Sequence, residues 1–343
     1  KQNKKQSYIL SLVHLANQRL IGKSKKRQKF IQIFTEAFFS NVSLEIMQAN
    51  TNEELLRSVF SAWDHLQSRK KDQIKVRFSD IARRSPKGFE VNVTVIEIVT
   101  NNIPFLVDSI TAELNRLDVQ VHLFINSRIS IQRNTAGTIS NIGTSNTEML
   151  ESVIHIEVDE QSVEKIQTFA KTIRSIADDV HVAVQDWEKM RKRLSDIILH
   201  FDFPLPAMGL KAAEEIKSFL HWVKNEHFLF LGYREYNFHT RKKQTKVSVQ
   251  PRRGLGILRK SSTKLFDGWH NNMQLPAPVI DSIQNANLIF VGKANKKSNV
   301  HRSVHIDTIG VKIYDDRGNV VGVKVFAGLF VSDFYNQTIR EIP

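Results

Sequence analysis

The run Phe89-Glu90-Val91-Asn92-Val93-Thr94-Val95-Ile96-Glu97-Ile98-Val99-Thr100-Asn101-Asn102-Ile103-Pro104-Phe105-Leu106-Val107-Asp108 decides how this chain folds. Its first part, to Val99, is a β-branched run of the kind that fills a central strand, and Asn101 to Pro104 stops it. Proline is tolerated in the first turn of a helix, and Leu106, Val107, Ile110, Leu114 and Leu117 then recur along one helical face. The stretch therefore predicts a buried strand, a break and a helix over 104–117.

Upstream of it, Ile74, Val76 and Phe78 alternate with polar residues as an edge strand does. Downstream, Val119, Val121, Leu123, Ile125, Ile129 and Ile131 share one strand face. A turn-rich stretch from Asn134 to Asn146 leads to a strand with Ile154, Ile156 and Val158 on one side. Val163, Ile166, Ala170, Ile173 and Ala177 mark a helix over 161–177, Val180, Val182 and Val184 read as a last short strand, and another helix starts near Asp186. The order over 89–185 is β-α-β-β-α-β, a ferredoxin-like antiparallel sheet with both helices on one face. Val121, Leu123, Ile156 and Val182 are expected inside it.

The residues before this module read as helices: Ile9, Leu12, Val13, Ala16 and Leu20, then Phe30, Ile33, Phe34, Phe38 and Phe39. Thr51-Asn52-Glu53-Glu54 has the form of a capping box opening a helix that buries Leu56, Val59, Phe60 and Trp63. After Phe203-Pro204-Leu205-Pro206, a helix with Ala213, Ile216, Leu220 and Val223 precedes strands at 228–238, 246–250, 255–259, 288–291, 303–314 and 320–331, the last two joined around Asp315 to Asn319. The fold class is α+β. Its expected parts are a helical N-terminal segment over 1–72, a βαββαβ domain over 73–202 and a mostly antiparallel, PAS-like domain over 203–343.

Composition narrows the function. The 343 residues are 41% hydrophobic and contain no cysteine, which removes disulfides, thiolate zinc sites and a cysteine nucleophile. No apolar run approaches the roughly 20 residues of a membrane span and no signal peptide opens the chain, so a cytoplasmic protein is expected. The start at a lysine suggests a piece of a longer polypeptide. Net charge is +14, of which residues 1–88 supply +11 from 18 Lys and Arg against 7 Asp and Glu. Charge placed at helix ends and connections, with no helix-turn-helix or RNP-type motif beside it, does not make a nucleic-acid reading face.

Few motifs carry chemistry. Gly254-Leu255-Gly256 lacks the third glycine of a dinucleotide fingerprint, Arg259 standing there, and reads as a tight turn or bulge. His301, Ser303, His305 and Asp307 alternate along one strand, but histidines four apart on a strand lie about 13 Å from each other, too far to share a metal ion. They are read as polar contacts across a sheet. The candidate binding segment is Asn101, Asn102, Ile103, Pro104, Phe105 and Asp108, where a strand end meets a helix N-terminus whose free amides can hold a small carboxylate. The alternative is that the asparagines simply cap the helix.

That segment resembles the strand-to-helix loop of ACT domains, βαββαβ modules that bind amino acids and adjust metabolic enzymes, with Phe105 in place of the family's glycine. More widely, Ile98 to Ser109 with Thr111 to Arg116, Asp186-Trp187-Glu188-Lys189-Met190-Arg191, His227 to Tyr236, Gly254 to Arg259, Lys293-Ala294-Asn295 with Val300-His301-Arg302, and Tyr335 to Pro343 resemble, in order, the N-terminal region of the large bacterial NAD-specific glutamate dehydrogenases. The resemblance implies a non-catalytic regulatory or assembly region of a homo-oligomeric enzyme of amino-acid catabolism, one that deaminates L-glutamate with NAD to 2-oxoglutarate, ammonia and NADH. It further implies that the catalytic lysine and the NAD-binding Rossmann domain lie C-terminal to this chain as its partner. On this view the chain itself holds no NAD, metal or catalytic residue, its one ligand is an amino-acid effector, and neither nucleic acid nor membrane is a partner. A free-standing ACT/PAS-like sensor is the other reading.

Overall fold

The computed structural model describes residues 2–84, 89–143, 150–200, 210–241, 244–249, 253–260, 262–266, 269, 273–284 and 287–331. Two compact units divide it, Lys1–Ala177 and Asp178–Pro343.

In the first unit four helices open the chain: α1 (Gln2–Gln18), α2 (Lys25–Phe39), α3 (Leu44–Gln48) and α4 (Asn52–Leu66). Polar residues start three of them. Ser24 and Ser43 accept amides from Arg27 and Ile46, and Thr51 forms a complete capping box with Glu54. There follow β1 (Lys75–Arg84), β2 (Glu90–Asn101), α5 (Leu106–Arg116), β3 (Val121–Arg133), β4 (Ile139–Gly143), β5 (Leu150–Asp159) and α6 (Val163–Leu199). The sheet order is β1-β2-β5-β3-β4, with every pairing antiparallel.

Both faces of the sheet are covered. Phe34, Phe38, Leu55, Val59 and Trp63 of the N-terminal helices pack with Val99, Leu123, Ile125 and Val153 in one cluster. On the opposite face the C-terminal half of α5 and the start of α6 adjoin Ile96 and Val158, so both helices do share a face as expected. Central strands covered on both sides need no polar alternation, which is why β2 and β5 are buried along most of their length.

Three expectations fail here. No strand runs over 180–184: α6 is one helix of 37 residues. Nothing in 163–199 breaks it, since the segment has neither glycine nor proline, and Ile173, Ala177, Val180, Ala183, Met190, Leu194 and Ile198 are buried at helical intervals. Val182 is consequently a half-buried helix residue. The edge beside β2 that a ferredoxin-like fourth strand would take is occupied by β1 from upstream. Val121, at the end of β3, is 39% exposed, whereas Leu123 and Ile156 are buried.

The second unit begins within α6 and continues with α7 (Leu210–Trp222), a kinked turn over Val223–His227, β6 (Phe228–Arg241), β7 (Gln244–Val249), β8 (Leu255–Gly256), α8 (Ala277–Gln284), β9 (Ile289–Lys297), β10 (His305–Tyr314) and β11 (Val320–Phe330). Its antiparallel sheet has the order β7-β6-β11-β10-β9, with β8 paired to β6. Met190, Leu194 and Ile198 of α6 share a core with Leu220, Phe228, Phe230, Ile309, Phe326 and Phe330. The β10–β11 turn is built as its residues require: Asp315 Oδ1 accepts the amides of Arg317 and Asn319, and Gly318 takes φ +81°. The expected strand over 255–259 is only two residues long, because Gly256 at φ +56° turns the chain. The breaks at Phe203 to Pro206 and the segment Tyr335 to Pro343 lie outside the described residues.

Candidate functional site

The loop from β2 to α5 is built on hydrogen bonds that leave its asparagines no capping role. Asn101 Oδ1 accepts from Arg69 Nη2 at 2.6 Å and its Nδ2 donates to Asp72 Oδ1 at 2.8 Å. Asn102 donates its amide to Leu150 O at 2.9 Å and accepts from Ser152 Oγ at 3.2 Å. Ile103 is half-buried and Pro104 exposed. The residue at the N-cap is Phe105, with φ +66° and ψ −9°, whose own side chain makes no cap hydrogen bond. A left-handed conformation is the one glycine adopts freely and a bulky residue avoids. Asp108 lies exposed in the first turn, where a carboxylate favours the positive end of the helix dipole. The structure thus gathers Asn101, Asn102, Phe105 and Asp108 around one helix start, but two helical residues later than the position proline suggested.

Behind this loop sits a buried ion cluster. Glu151, next in sequence to the loop's partner Leu150, accepts from Arg133 Nε and Nη2 at 2.7 and 2.9 Å and from Arg69 Nη2 at 2.9 Å. Burial pushes the Glu151 carboxyl up, but the two guanidiniums outweigh it and hold the group below its usual range. Arg133 also donates to Leu66 O and Gly137 O. Arg69 therefore ties the end of α4 to both Asn101 and Glu151.

A second network lies under the N-terminal helices. His155 on β5 stands opposite Glu97 on β2, with Nδ1 3.1 Å from Glu97 Oε1 and Nε2 3.3 Å from Glu157 Oε1. Arg77 donates to Glu97 and Arg83 to Glu157 at 2.7 Å, while Ser58 Oγ reaches Glu157 at 3.3 Å. Burial opposes a charge on His155, yet the hydrogen bonds to Glu157 and Glu97 more than offset it and raise the imidazole. Burial likewise raises Glu97, and His155 and Arg77 overcome it to hold the carboxyl at about 2. Both imidazole nitrogens and both carboxylates are thereby committed to one another. Among the described residues no group of three His, Asp or Glu side chains is arranged to hold a metal ion.

In the second unit the segments read separately in the sequence meet. Asp186 is fully buried, accepting from Gly256 N at 2.8 Å and from Arg259 Nε and Nη2 at 2.5 and 2.7 Å. Burial raises its carboxyl, but Arg259, the Gly256 amide and Lys189 hold it at about 2. A Cβ on Gly256 would lie 2.1 Å from Leu231 O, so only glycine brings that amide to the carboxylate. Arg234, also buried, donates to the carbonyls of Leu258 at 2.8 Å and Thr263 at 2.6 Å. Gly254 to Arg259 is thus a clamped turn, not a phosphate cradle. The strand residues His305 and Asp307 make the expected polar contacts, to Ala294 O at 3.0 Å and to Lys293 Nζ at 2.5 Å and Phe330 N at 3.0 Å respectively.

Residues 34–173 match the family model described as glutamate dehydrogenase, ACT1 domain. An NAD-specific glutamate dehydrogenase of Pseudomonas aeruginosa is 27% identical over 321 residues, covering 91% of this chain, and one of Halomonas elongata is 26% identical over 347 residues, covering 97%. The chain is similar over most of its length to NAD-specific glutamate dehydrogenases. It spans 19% and 21% of those two relatives, about a fifth of their length.

The ACT1 match begins inside α2 and ends inside α6, so it takes in the sheet, the loop at Phe105 and both ion networks. Sequence reading missed those networks. Glu97, His155 and Glu157 sit on strands whose neighbours are apolar, and a charged residue at a central-strand position is the signal that could have flagged them. It also missed a cavity of about 260 Å³ at the C-terminal end of α5.

Proposed function

We propose that this chain is a non-catalytic regulatory and assembly region, lying N-terminal to the catalytic domain of a homo-oligomeric, cytoplasmic NAD-dependent glutamate dehydrogenase. The parent enzyme would convert L-glutamate, NAD and water to 2-oxoglutarate, ammonia and NADH on a catalytic domain that packs against this region. The observation that carries the reading is the ACT1 match together with the sheets: all strand pairings among the described residues are antiparallel, while a dinucleotide fold needs parallel strands. The hydride chemistry then belongs to the cofactor and to residues elsewhere. The antiparallel sheet of the second unit, with a helical insertion before β9, supports the PAS-like reading of that half.

Within this region the loop of Asn101, Asn102, Ile103, Pro104, Phe105 and Asp108 is the effector site, its ligand an amino acid or another small carboxylate held near the start of α5. What supports it is that the loop stands at the start of α5, where the helix dipole favours a negative charge, and that the ion cluster behind Asn101 gives the loop a rigid back. Two measurements test the proposal. Purified chain should produce no NADH from glutamate and NAD and give no heat on titration with NAD; turnover would overturn it. A thermal-shift screen of the common amino acids should find a stabilising ligand whose shift Asn102→Ala removes. A ligand at 100 times its Kd contributes about 2.7 kcal/mol.

A further inference from the structure

We infer that the basic turn between α1 and α2 of one copy of this chain seats in an apolar socket at one end of the first unit's sheet on a second copy, and that two such contacts about a twofold axis make a dimer. The inference deepens the assembly role proposed above. It needs nothing of the effector loop, which lies at the opposite end of β2 from the socket.

The plug is Ile21, at 81% the most exposed large apolar side chain among the described residues. The turn that carries it is nonetheless well fixed. Gln28 Nε2 donates to Leu20 O at 3.1 Å and to Lys23 O at 3.3 Å, Lys23 N donates to Leu20 O at 2.9 Å, and Gly22 takes φ +86° with open space around it. A single exposed isoleucine is ordinary, but one held out on a preorganised turn loses little entropy when a partner covers it. Lys23, Lys25, Lys26 and Arg27, all exposed, flank it.

The socket is a cavity of about 420 Å³ between α3 and the strand ends, with a mostly apolar surface. Ile46, Val91 and Val121, 37–42% exposed, line it, and the exposed Phe89 stands two residues before Val91. Large apolar side chains gathered in one exposed hollow mark an interaction surface. The charge at its mouth is acidic. Arg83 in the lining is spent on Glu157 Oε2 at 2.7 Å and Asn50 Oδ1 at 2.5 Å, while Asp159 is half-exposed and Glu160 beside it exposed. An apolar hollow edged by acid is the complement of an isoleucine edged by lysine. Both halves occur on this chain, and at the same end of α4. Arg19, next but one to the plug, pairs with Glu53 in the first turn of α4, and Asn50 of the socket directly precedes that helix's N-cap Thr51. Because Ile21 is exposed, it does not fill its own socket. Plug and socket side by side suit a twofold contact, in which each copy gives its plug and receives the other's.

The test is sedimentation equilibrium of the whole 343-residue chain, which should show a concentration-dependent dimer. Its Kd should rise about tenfold or more in Ile21→Asp and in Val121→Asp, and about threefold or more in Lys23→Glu/Lys25→Glu, the size of rim charge contacts. The chain has no cysteine, so introduced thiols report without background. Ile21→Cys mixed with Val121→Cys should form an intermolecular disulfide on mild oxidation, whereas Ile21→Cys mixed with Met273→Cys, an exposed position of the second unit, should not. A monomer at every concentration, or Ile21→Cys copies that cross-link only to each other, would overturn the assignment. A dimer indifferent to Ile21→Asp would overturn it too, while leaving the homo-oligomeric reading in place. A monomer that co-sediments with phosphatidylserine vesicles, and ceases to in Ile21→Asp, would overturn it by giving the plug to an anionic lipid surface.

Discussion

At Phe105 the chain accepts a backbone conformation its side chain disfavours, and the local energetics follow. A left-handed residue other than glycine carries roughly 1–2 kcal/mol of steric cost, less for asparagine, which bonds its own backbone. Phe105→Asn should therefore leave stability within about 1 kcal/mol of wild type in urea titrations, relief of strain offsetting the half-buried ring. Phe105→Val, β-branched at the same φ of +66°, should cost about 2 kcal/mol or more. Equal effects of the two would mean that packing of the ring, not backbone conformation, governs the site. Asp186 presents the opposite case, a buried carboxylate fully satisfied by Arg259 and the Gly256 amide. Removing one partner of a buried pair costs about 3–5 kcal/mol, and since Arg259 is 37% exposed the lower figure applies to Asp186→Ala. Chemical denaturation with a loss under 1 kcal/mol would show that the turn holds without the carboxylate. Both residues stand in segments that drew attention in the sequence; that Asp186 and Arg259 touch could not be read there, since 73 positions separate them.

On the scale of elements, α6 shows why local alternation misleads. Val180, Val182 and Val184 fit a strand by period two, while Val180 and Ala183 equally continue a helical stripe from Ile173 and Ala177. The neighbourhood resolves it: with β1 paired along β2 from Lys75↔Val99 to Arg84↔Glu90, the edge of β2 is not open to a ferredoxin-like fourth strand. Val182→Pro should accordingly cost about 3 kcal/mol or more and lower the helical circular dichroism of the chain, because it removes an interior helix bond and clashes with the preceding turn. Unchanged helix content with a modest stability loss would favour a strand or loop there.

For the molecule as a whole, buried ionisable groups shape the pH response, and three of the first unit carry distinct parts of it. His155, raised by its two carboxylates, binds its proton more tightly folded than unfolded. Its contribution is complete below about pH 6.5 and is lost as pH climbs through the raised folded value. Glu97, held at about 2, contributes fully above about pH 4.3 and loses its contribution as pH falls toward 2. His65 is lowered to about 4, chiefly by burial and then by the charge of Lys75, and its Nε2 has no hydrogen-bond partner. It therefore favours the folded state above about pH 6.5 and opposes it as pH falls toward 4. Urea-derived stability against pH should show a slope on each side of neutrality, with His155→Gln flattening the alkaline limb and His65→Gln the acid one. If both variants flatten the same limb, the protonation states drawn here are wrong.

What the sequence by itself determined is the set of elements with strong local signals: the capped α4, whose Thr51 and Glu54 need only each other, the strands β2, β3 and β5 with their apolar runs, the turn at Asp315 to Asn319, and the similarity to glutamate dehydrogenases carried by short segments. These depend on neighbours within a few residues. Tertiary structure alone decided that β1 completes the sheet, that 163–199 is a single helix, that Glu97, His155 and Glu157 form one charged cluster, and that Asp186 clamps Gly256. Each of those rests on which surfaces are left open or which charges are desolvated together once the chain has folded, and the free energy of burial and pairing is a property of that shared environment rather than of any segment.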